Sequence, residues 1–462
     1  MLKQNNFLQF VFLLSPHFLK NFQASLYSAT VAMHKYGKTF HFWSSLLKES
    51  QYYDSNRINQ LQIGILSNFL YHTFNNSPFY TCYEKKIPSL DKDVDIGSML
   101  RPFPIINKQI VRKAHTNILG SNKKRRLFKF STSGTTGSPL HVYLDLESYQ
   151  REYAFRWNLF SLGKAQRRSR FAFFVGNTLF DVNQNKPPYH IMDYYGQGIY
   201  FSLFHMSKET MRDYLSAFNS YKPEFIKGYP SGLYTFASYV KKHGHVFRYP
   251  KAIFSASEML RDYQKALLEE VFQAPVYQWY GQVETTVNIQ ECENRKLHVK
   301  EEYGFLELIN DKGEKARSGE IARAVGTGWG NKAFPLIRYD TGDSMILAKN
   351  QQCSCGRTGR VIERIIGRDE DVITSPRGRI IGRLDFVFKP IDTVKEAQIV
   401  QENISALTIR VVPLEKFANS DKKKIIQILK LYLGDDFVIK VEEVDELEKT
   451  TNGKVKYVIS RL

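Results

Sequence analysis

A chain of 462 residues can hold a large domain plus a smaller one, and 43% hydrophobic with 24% charged residues excludes a disordered or fibrous polymer. Sixty-five Lys and Arg against 46 Asp and Glu leave a net charge of +19, which favours anionic partners such as nucleotides, coenzyme A or acidic membranes. The basic clusters KKRR (123–126) and QRRSR (166–170) are short and scattered and form no nucleic-acid-binding signature, so nucleic acid is excluded as a partner.

The N-terminal stretch MLKQNNFLQFVFLLSPHFLKNF has an apolar run of only about eight residues, stopped by Pro16 and followed by no small-residue cleavage site. It does not read as a secretory signal. No stretch reaches the roughly 20 apolar residues that a membrane span needs. The expectation is an amphipathic segment that packs on the large domain or rests on a membrane surface. Residues 35–100 read as mainly helical, with RINQLQIGILSNFLYHTF carrying apolar residues at helical spacing.

The stretch KFSTSGTTGSPLHV (129–142) gathers hydroxyls and two glycines. Such a turn offers backbone N–H groups and hydroxyl donors to phosphate oxygens, with glycine where a side chain would obstruct. Leu140 stands where a phosphate-binding lysine would follow, so the Walker pattern fails. Taken alone, the stretch suits a hairpin turn as well as a ligand loop.

Beyond residue 127, short β-rich runs (RFAFFV, PEFIKGY, KAIFSAS, APVYQWYG) alternate with helical stretches (KETMRDYLSAF, RDYQKALLEEVF). That alternation predicts βαβ units and an α/β fold with mixed, largely parallel sheets. Near the end, ALTIRVVPL, SDKKKIIQILKLYLGDD and FVIKVEEV read as strand, helix and strand. The helix is expected to open at Ser420 or Asp421 and to close near Gly434. Glycine and a charge run at IGRDEDVI (366–373) mark a boundary, giving a large domain at 1–366 and a small α+β domain at 367–462.

Four cysteines make no disulfide framework and point to a reducing cytoplasm. Three of them, with one histidine, form a C-x₅-H…C-x-C set: Cys292, His298, Cys353 and Cys355. Four N and S ligands suit a closed, structural tetrahedral Zn²⁺ site. The long gap between the pairs leaves unconnected thiols as the competing reading, and Cys82 stands apart as an ordinary buried thiol.

Five stretches occur in a fixed order: STSGTTGSP, YGQVETT (280–286), PLIRYDTGD (335–343), GRDEDVI (367–373) and NGK (452–454). In order and spacing they resemble the core motifs of the adenylate-forming superfamily. SPHFLKNFQASLYS, HKYGKTFHFW, NNSPFY and KGYPSGL resemble its phenylacetate–coenzyme A ligase branch, in particular the CapK-like members linked to capsular polysaccharide biosynthesis. The resemblance covers nearly the whole chain.

It implies an enzyme that uses ATP and Mg²⁺ to activate a small-molecule carboxylic acid as an acyl adenylate, and then transfers the acyl group to coenzyme A. Thr132, Ser133, Gly134, Thr135, Thr136 and Gly137 would wrap the β- and γ-phosphates. Tyr280 would stack on adenine, Glu284 would help hold Mg²⁺, and Asp343 would accept from both ribose hydroxyls. Arg368 would sit near ribose and phosphate beside the hinge, and Glu258 near the nucleotide or acyl group. Lys454, on a mobile small domain, would meet the carboxylate and the α-phosphate. The resemblance also supports structural Zn²⁺. Two departures are Leu140 in place of a lysine after the phosphate loop, and Glu370 at the hinge where an aspartate is usual. The competing functions are an amide ligase that transfers to an amine or a carrier without coenzyme A, and a non-catalytic scaffold at a polysaccharide-assembling membrane.

Overall fold

The computed structural model describes residues 11–87, 95–121, 126–132, 140–176, 178–181, 184–310 and 312–366, most of 373–448, and 458–462. Three helices open the chain: α1 (His17–Lys35), α2 (Lys38–Ser50) and α3 (Ser55–Asn76). Each begins where its sequence permits. Pro16 precedes α1, and the Asp54 carboxylate accepts from the Arg57 amide at 2.8 Å to cap α3. The helical reading of residues 35–100 is correct. No described helix is long and apolar enough to cross a membrane.

A short hairpin follows, β1 (Phe128–Ser131) with β2 (His141–Leu144), and then helix α4 (Leu146–Phe160), capped by Asp145 on the Ser148 amide at 2.8 Å. The main sheet begins with β3 (Phe171–Val175), β4 (His190–Asp193) and β5 (Gly198–Ser202). It continues through α5 (Met211–Tyr221), β6 (Phe225–Gly228), α6 (Pro230–Lys242), β7 (Ala252–Ala256), α7 (Asp262–Phe272) and β8 (Val276–Gly281). Strands β3, β6, β7 and β8 and helices α5 and α7 are those that the alternation predicts; β4 and β5 are additional strands that it did not mark.

Strands β8, β7, β6, β3 and β5 are adjacent and parallel. Both faces of this part are covered, which is why its strands read as unbroken apolar runs. Phe174, Ile226, Ile253 and Val276 pack on Phe218, Leu233, Phe236 and Phe272 from α5, α6 and α7. Phe171, Phe225, Ala252, Phe254 and Tyr277 pack on Leu159 and Phe160 from α4.

The rest of the sheet is antiparallel: β9 (Asn288–Glu291), β10 (Leu297–Val299), β11 (Phe305–Ile309), β12 (Ile321–Gly328), β13 (Leu336–Leu347) and β14 (Val361–Ile366). The twelve strands run in the order β11-β12-β13-β14-β10-β9-β8-β7-β6-β3-β5-β4. The mixed sheet is therefore as expected, with its parallel part confined to five neighbours. Its antiparallel part curls: Tyr280 on β8 bonds Asp343 on β13 although β9, β10 and β14 lie between them in the pairing order.

Strand β4 is an edge, and α1 lies along it. His17 Nε2 meets the His190 carbonyl at 2.9 Å, Asn21 Oδ1 accepts from the Met192 amide at 2.9 Å, and Ser25 Oγ accepts from the Tyr194 amide at 2.9 Å. Side chains four apart on a helix advance about 6 Å, and alternate residues on a strand about 6.8 Å. The two rulers therefore match over two steps, about 12 Å against about 13.6 Å. Ser28 adds a bond to the Asp193 carboxylate. Lys20 and Asn21 are buried in consequence, and the polar face of α1 points inward.

At the C-terminal end, β15 (Val394–Asn403), β16 (Ala406–Pro413), β17 (Val438–Glu443) and β18 (Val458–Ser460) form a separate sheet in the order β17-β16-β15-β18. Helix α8 (Asn419–Leu433) lies on it, placing Ile425, Leu429 and Leu433 against Ile399, Ile409, Val411 and Val458 in a core of their own. The helix starts earlier than expected. Ala418 is its N-cap, and Asp421 serves from the third helical position, accepting from the Ala418 amide at 3.0 Å. Gly434 does close it, at φ +83°.

Candidate functional site

The Ser-, Thr- and Gly-rich stretch lies in sequence between β1 and β2, and its residues 133–139 are outside the described residues. Thr132 and Leu140 close the neck of the β1–β2 hairpin: the Thr132 amide donates to the Leu140 carbonyl at 2.9 Å, and the Leu140 amide donates to Thr132 Oγ1 at 3.0 Å. Leu140 faces inward with Val142 and Leu144, in one core with Trp329, Leu336 and Tyr339. A lysine would not fit that environment, which accounts for the departure at this position. Ser133, Gly134, Thr135, Thr136, Gly137, Arg368, Glu370 and Lys454 lie outside the described residues.

Glu284 follows β8 on a turn pressed against β12. A Cβ on Gly328 would collide with the Thr285 carbonyl oxygen and lie 2.9 Å from Thr286 Cα, so only glycine permits the approach. Thr285 takes φ +56°, a left-handed conformation that a β-branched residue adopts at a cost of about 1–3 kcal/mol. Its Oγ1 is buried and has no hydrogen-bond partner among the described residues. The Glu284 carboxylate accepts from Tyr339 Oη at 3.0 Å. Through Tyr339, Glu284 touches the same core as Leu140 at the neck of the hairpin loop.

Asp343 is displayed by a bulge. Arg323 pairs with Ser344 and Val325 with Asp340, so Ala324 alone opposes Thr341, Gly342 and Asp343. Gly342 takes φ +76°. Thr341 Oγ1 donates to the Ala324 carbonyl at 2.9 Å and accepts from the Asp343 amide at 3.1 Å, which fixes the protrusion. Its carboxylate accepts from Tyr280 Oη at 2.7 Å, and Gln282 Nε2 donates to the same phenol at 3.0 Å. Burial and the Asp343 carboxylate both push the Tyr280 phenol well above its ordinary range, so it stays a donor.

The Glu258 carboxylate accepts from the amide and hydroxyl of Ser231, at 3.0 and 3.1 Å, in the first turn of α6. It joins the KGYPSGL and FSASEML stretches, and its negative charge suits a helix N-terminus. Three non-glycine residues in the left-handed region adjoin these groups: Ser257 (φ +77°) beside Glu258, Thr285 beside Glu284, and Arg338 (φ +50°) beside Tyr339. Bidentate contacts to Glu307 at 2.9 and 3.0 Å hold Arg338 there. Strain gathered in this way marks a site whose geometry the surrounding fold maintains. The structure thus brings Tyr280, Asp343, Glu284 and Tyr339 together. A cavity of about 540 Å³ among α2, α3, the start of α4 and Trp329–Lys332 includes none of them.

Sequence reading missed Lys227 and Arg156. Lys227 Nζ lies 5.8 Å from the centre of the Trp279 ring and 5.4 Å from that of Phe160, and Arg156 Cζ lies 5.2 Å from the Trp279 ring. Among the described residues no carboxylate pairs with Lys227. Burial first, then Arg156 and Lys35, push its ammonium down to about 7. A lysine lowered on folding costs stability in full below pH about 7, and the cost fades as pH rises toward 10.5. Lys227→Met should therefore melt higher than the parent at pH 6, with the gap closing by pH 10. A gap that widens with pH would refute the assignment. Only the Lys-Gly-Tyr-Pro stretch hinted at this position, because a single lysine in a strand gives no sign of what faces it.

The cysteine group converges. Cys292 follows β9, His298 lies on β10, and Cys353 and Cys355 lie between β13 and β14. Their ligand atoms all lie within 4.8 Å of one another. Cys292 and Cys353 Sγ are 3.7 Å apart, and Cys355 Sγ and His298 Nε2 are 3.5 Å apart. Tetrahedral zinc, with Zn–S about 2.3 Å and Zn–N about 2.0–2.1 Å, has edges of about 3.8 Å and about 3.6 Å. His298 Nδ1 faces the Gly359 carbonyl at 3.3 Å, which leaves Nε2 for the ligand role. Burial pushes the Cys292 thiol up to about 12, a penalty that a bound dication would reverse. The residues fit a closed structural site. The 55-residue gap between the pairs is bridged by the β10–β14 pairing, in which His298 opposes Val361.

Residues 372–461 match the family model described as the CapK C-terminal domain. The chain is similar to Protein CapK of Staphylococcus aureus, at 24% identity over 461 residues, covering 98% of this chain and 100% of that protein. It is similar to the phenylacetate-coenzyme A ligase of Thermus thermophilus at 35% identity over 86 residues, which span 18% of this chain and 19% of that one. Among solved structures, 2-hydroxyisobutyryl-CoA ligase in complex with 2-HIB-AMP and CoA superposes with a TM-score of 0.60. That likeness has 16% identity and covers 89% of this chain and 91% of the ligase. The same ligase in a postadenylation state gives 0.55. These likenesses show the fold.

Proposed function

We propose, for a chain that is homologous to CapK along its full length and shares its fold with the CoA ligases of the adenylate-forming superfamily, that it is an AMP-forming acid–thiol ligase. A carboxylate oxygen of the acid attacks the α-phosphorus of ATP, the bond to the β-phosphate oxygen breaks, and pyrophosphate leaves. The thiol of coenzyme A then attacks the acyl carbon, and AMP departs. The observation that carries this reading is the joined set Tyr280–Asp343 and Tyr339–Glu284, held on strained turns beside the neck of the hydroxyl-rich hairpin loop.

Each member of the set has chemistry suited to a nucleotide. Asp343 only accepts, as ribose hydroxyls require. Tyr280 offers a flat ring beside it. Glu284 would hold Mg²⁺, a hard cation that takes oxygen ligands and offsets phosphate charge. The loop from Thr132 to Gly137 would surround the β- and γ-phosphates with donors, and Arg368 would stand at the hinge near the ribose. Glu258 positions α6 against the loop after β7 and acts through Ser231. Residues 1–366 would form the nucleotide- and acid-binding domain, and 367–462 a small domain that brings Lys454 to the site for adenylation. Cys292, His298, Cys353 and Cys355 would hold structural Zn²⁺. We place the enzyme in the cytoplasm and its acid in capsular or exopolysaccharide synthesis.

ATP–pyrophosphate exchange with a panel of carboxylic acids tests the reading. We expect exchange with at least one acid, lowered about 10²-fold or more in Glu284→Gln. A folded, Mg²⁺-supplied protein that exchanges with no acid would instead be a scaffold. Addition of coenzyme A should then yield a thioester with the free mass of the acid plus coenzyme A less water. Exchange without thioester would move the acceptor to an amine or a carrier protein.

A further inference from the structure

Helix α1 is inside out. His17, Lys20, Asn21, Ser25 and Ser28 face the β4 edge, while Phe18, Phe22, Leu26 and Met33 are 74%, 62%, 55% and 73% exposed. On a 3.6-residue period these four share one face, and Leu14 ahead of the helix is 70% exposed. A helix packed on a globular core normally turns such residues inward. Here the inward face is committed to hydrogen bonds with the edge strand, so the apolar face is left outward. Beside the helix, the turn after β4 carries Tyr194 and Tyr195, 61% and 56% exposed, and the Tyr194 amide is tied to Ser25.

The N-terminal segment carries charge of one sign, while Asp181 and Asp193 face the inward side of α1. From Met1 to Lys48 the chain contains five lysines and no Asp or Glu; the first acidic residue is Glu49. The whole chain carries +19. A second copy would bring the same charge to the same face and be repelled. An anionic lipid leaflet supplies both an apolar layer for the Phe and Leu side chains and negative charge to attract a chain of net charge +19. Tyrosines at the rim suit the boundary between headgroups and acyl chains. The helix, about 28 Å long at 1.5 Å per residue, would lie flat on such a surface and not cross it.

We propose that the outward face of α1 is a membrane-docking surface for anionic lipid, which seats the protein on a bilayer. The assignment is independent of the activity proposed above. It is tested by pelleting the full-length protein with vesicles of phosphatidylcholine alone and of phosphatidylcholine mixed with phosphatidylglycerol. The protein should pellet with the anionic vesicles and be released by high salt. The triple variant F18S/F22S/L26S, and Phe22→Asp alone, should lose about tenfold or more of that binding. Tyr71→Ser, at a 75% exposed site on α3, should bind as the parent does.

Circular dichroism and melting of each variant establish that it is folded, and the single substitution keeps the test valid if the triple is not. Failure of the parent to pellet, unchanged binding by both folded variants, or equal binding to the two vesicle types overturns the proposal. So does a dimer in sedimentation velocity that the same substitutions dissociate in a protein that ignores vesicles, since the stripe would then be covered by a second copy.

Discussion

Replacing Lys454 by alanine should lower ATP–pyrophosphate exchange about 10²–10³-fold, the range seen when one preorganised charge-stabilising donor is removed from an active site. Adenylation brings a carboxylate against a phosphate, and negative charge concentrates on the oxygens of the α-phosphate as the bond to pyrophosphate breaks. In the proposed mechanism a lysine from the small domain would supply a compact charge at that moment and would leave with the domain. Thioester formation from acyl adenylate supplied ready-made should therefore change far less than exchange does. Lys454→Arg should rescue poorly, because a planar guanidinium does not place its charge at one point. Exchange that stays within threefold of the parent would remove Lys454 from the mechanism, and equal loss in both half-reactions would remove the division of labour.

The purified protein should carry one zinc per chain, and Cys353→Ser should lose it. If zinc is present at a thousand times its dissociation constant, its loss costs about 4 kcal/mol of stability, because a ligand that binds only the folded chain stabilises it by mass action. The loss should be structural in character. Arg357, whose amide donates to Cys355 Sγ at 3.4 Å, also donates to Gln51 Oε1 at 3.1 Å, and the Thr358 amide donates to the Gln51 carbonyl at 2.7 Å. The metal loop thus fastens the end of α2 to the sheet. Four protein ligands leave no open position for substrate, so exchange by Cys353→Ser should persist at temperatures below its melting point. Cys82, expected to be buried, is exposed and lies outside the cluster, so Cys82→Ser serves as the control. Native protein free of zinc, or a variant that melts with the parent, would dismiss the site.

What could be read from the chain divides along a physical line. Regular elements with a clear period were legible: the runs at 171–175, 225–228, 252–256 and 276–281 are strands, and KETMRDYLSAF and RDYQKALLEEVF between them form helices, whereas the short strands at 190–193 and 198–202 were not marked. The nucleotide-type motifs were legible as strings, but their geometry was not. Nothing local in RYDTGD says that three residues bulge against one, or that Asp343 meets Tyr280 across a curled sheet. The cysteine set stayed open because its two halves are joined by strand pairing at long range. The start of α8 was misplaced because Ser420 and Asp421 are good caps in isolation, yet Asp421 acts from inside the helix. The orientation of α1 was beyond reach for a sharper reason. Periodicity tells which face of a helix is apolar, and burial is then assumed. Here an edge strand claimed the polar face.

That claim also bears on how long a sheet can grow. A sheet that ends in two edge strands, β11 and β4, amounts to an unfinished polymer, since an exposed edge is a template for the next strand, from this chain or another, and α1 answers this at the β4 edge. His17, Asn21 and Ser25 occupy the bonding positions that a thirteenth strand would need, with side-chain atoms that offer nothing further to pair with. The helix that opens the chain is in this sense a chain terminator for the sheet.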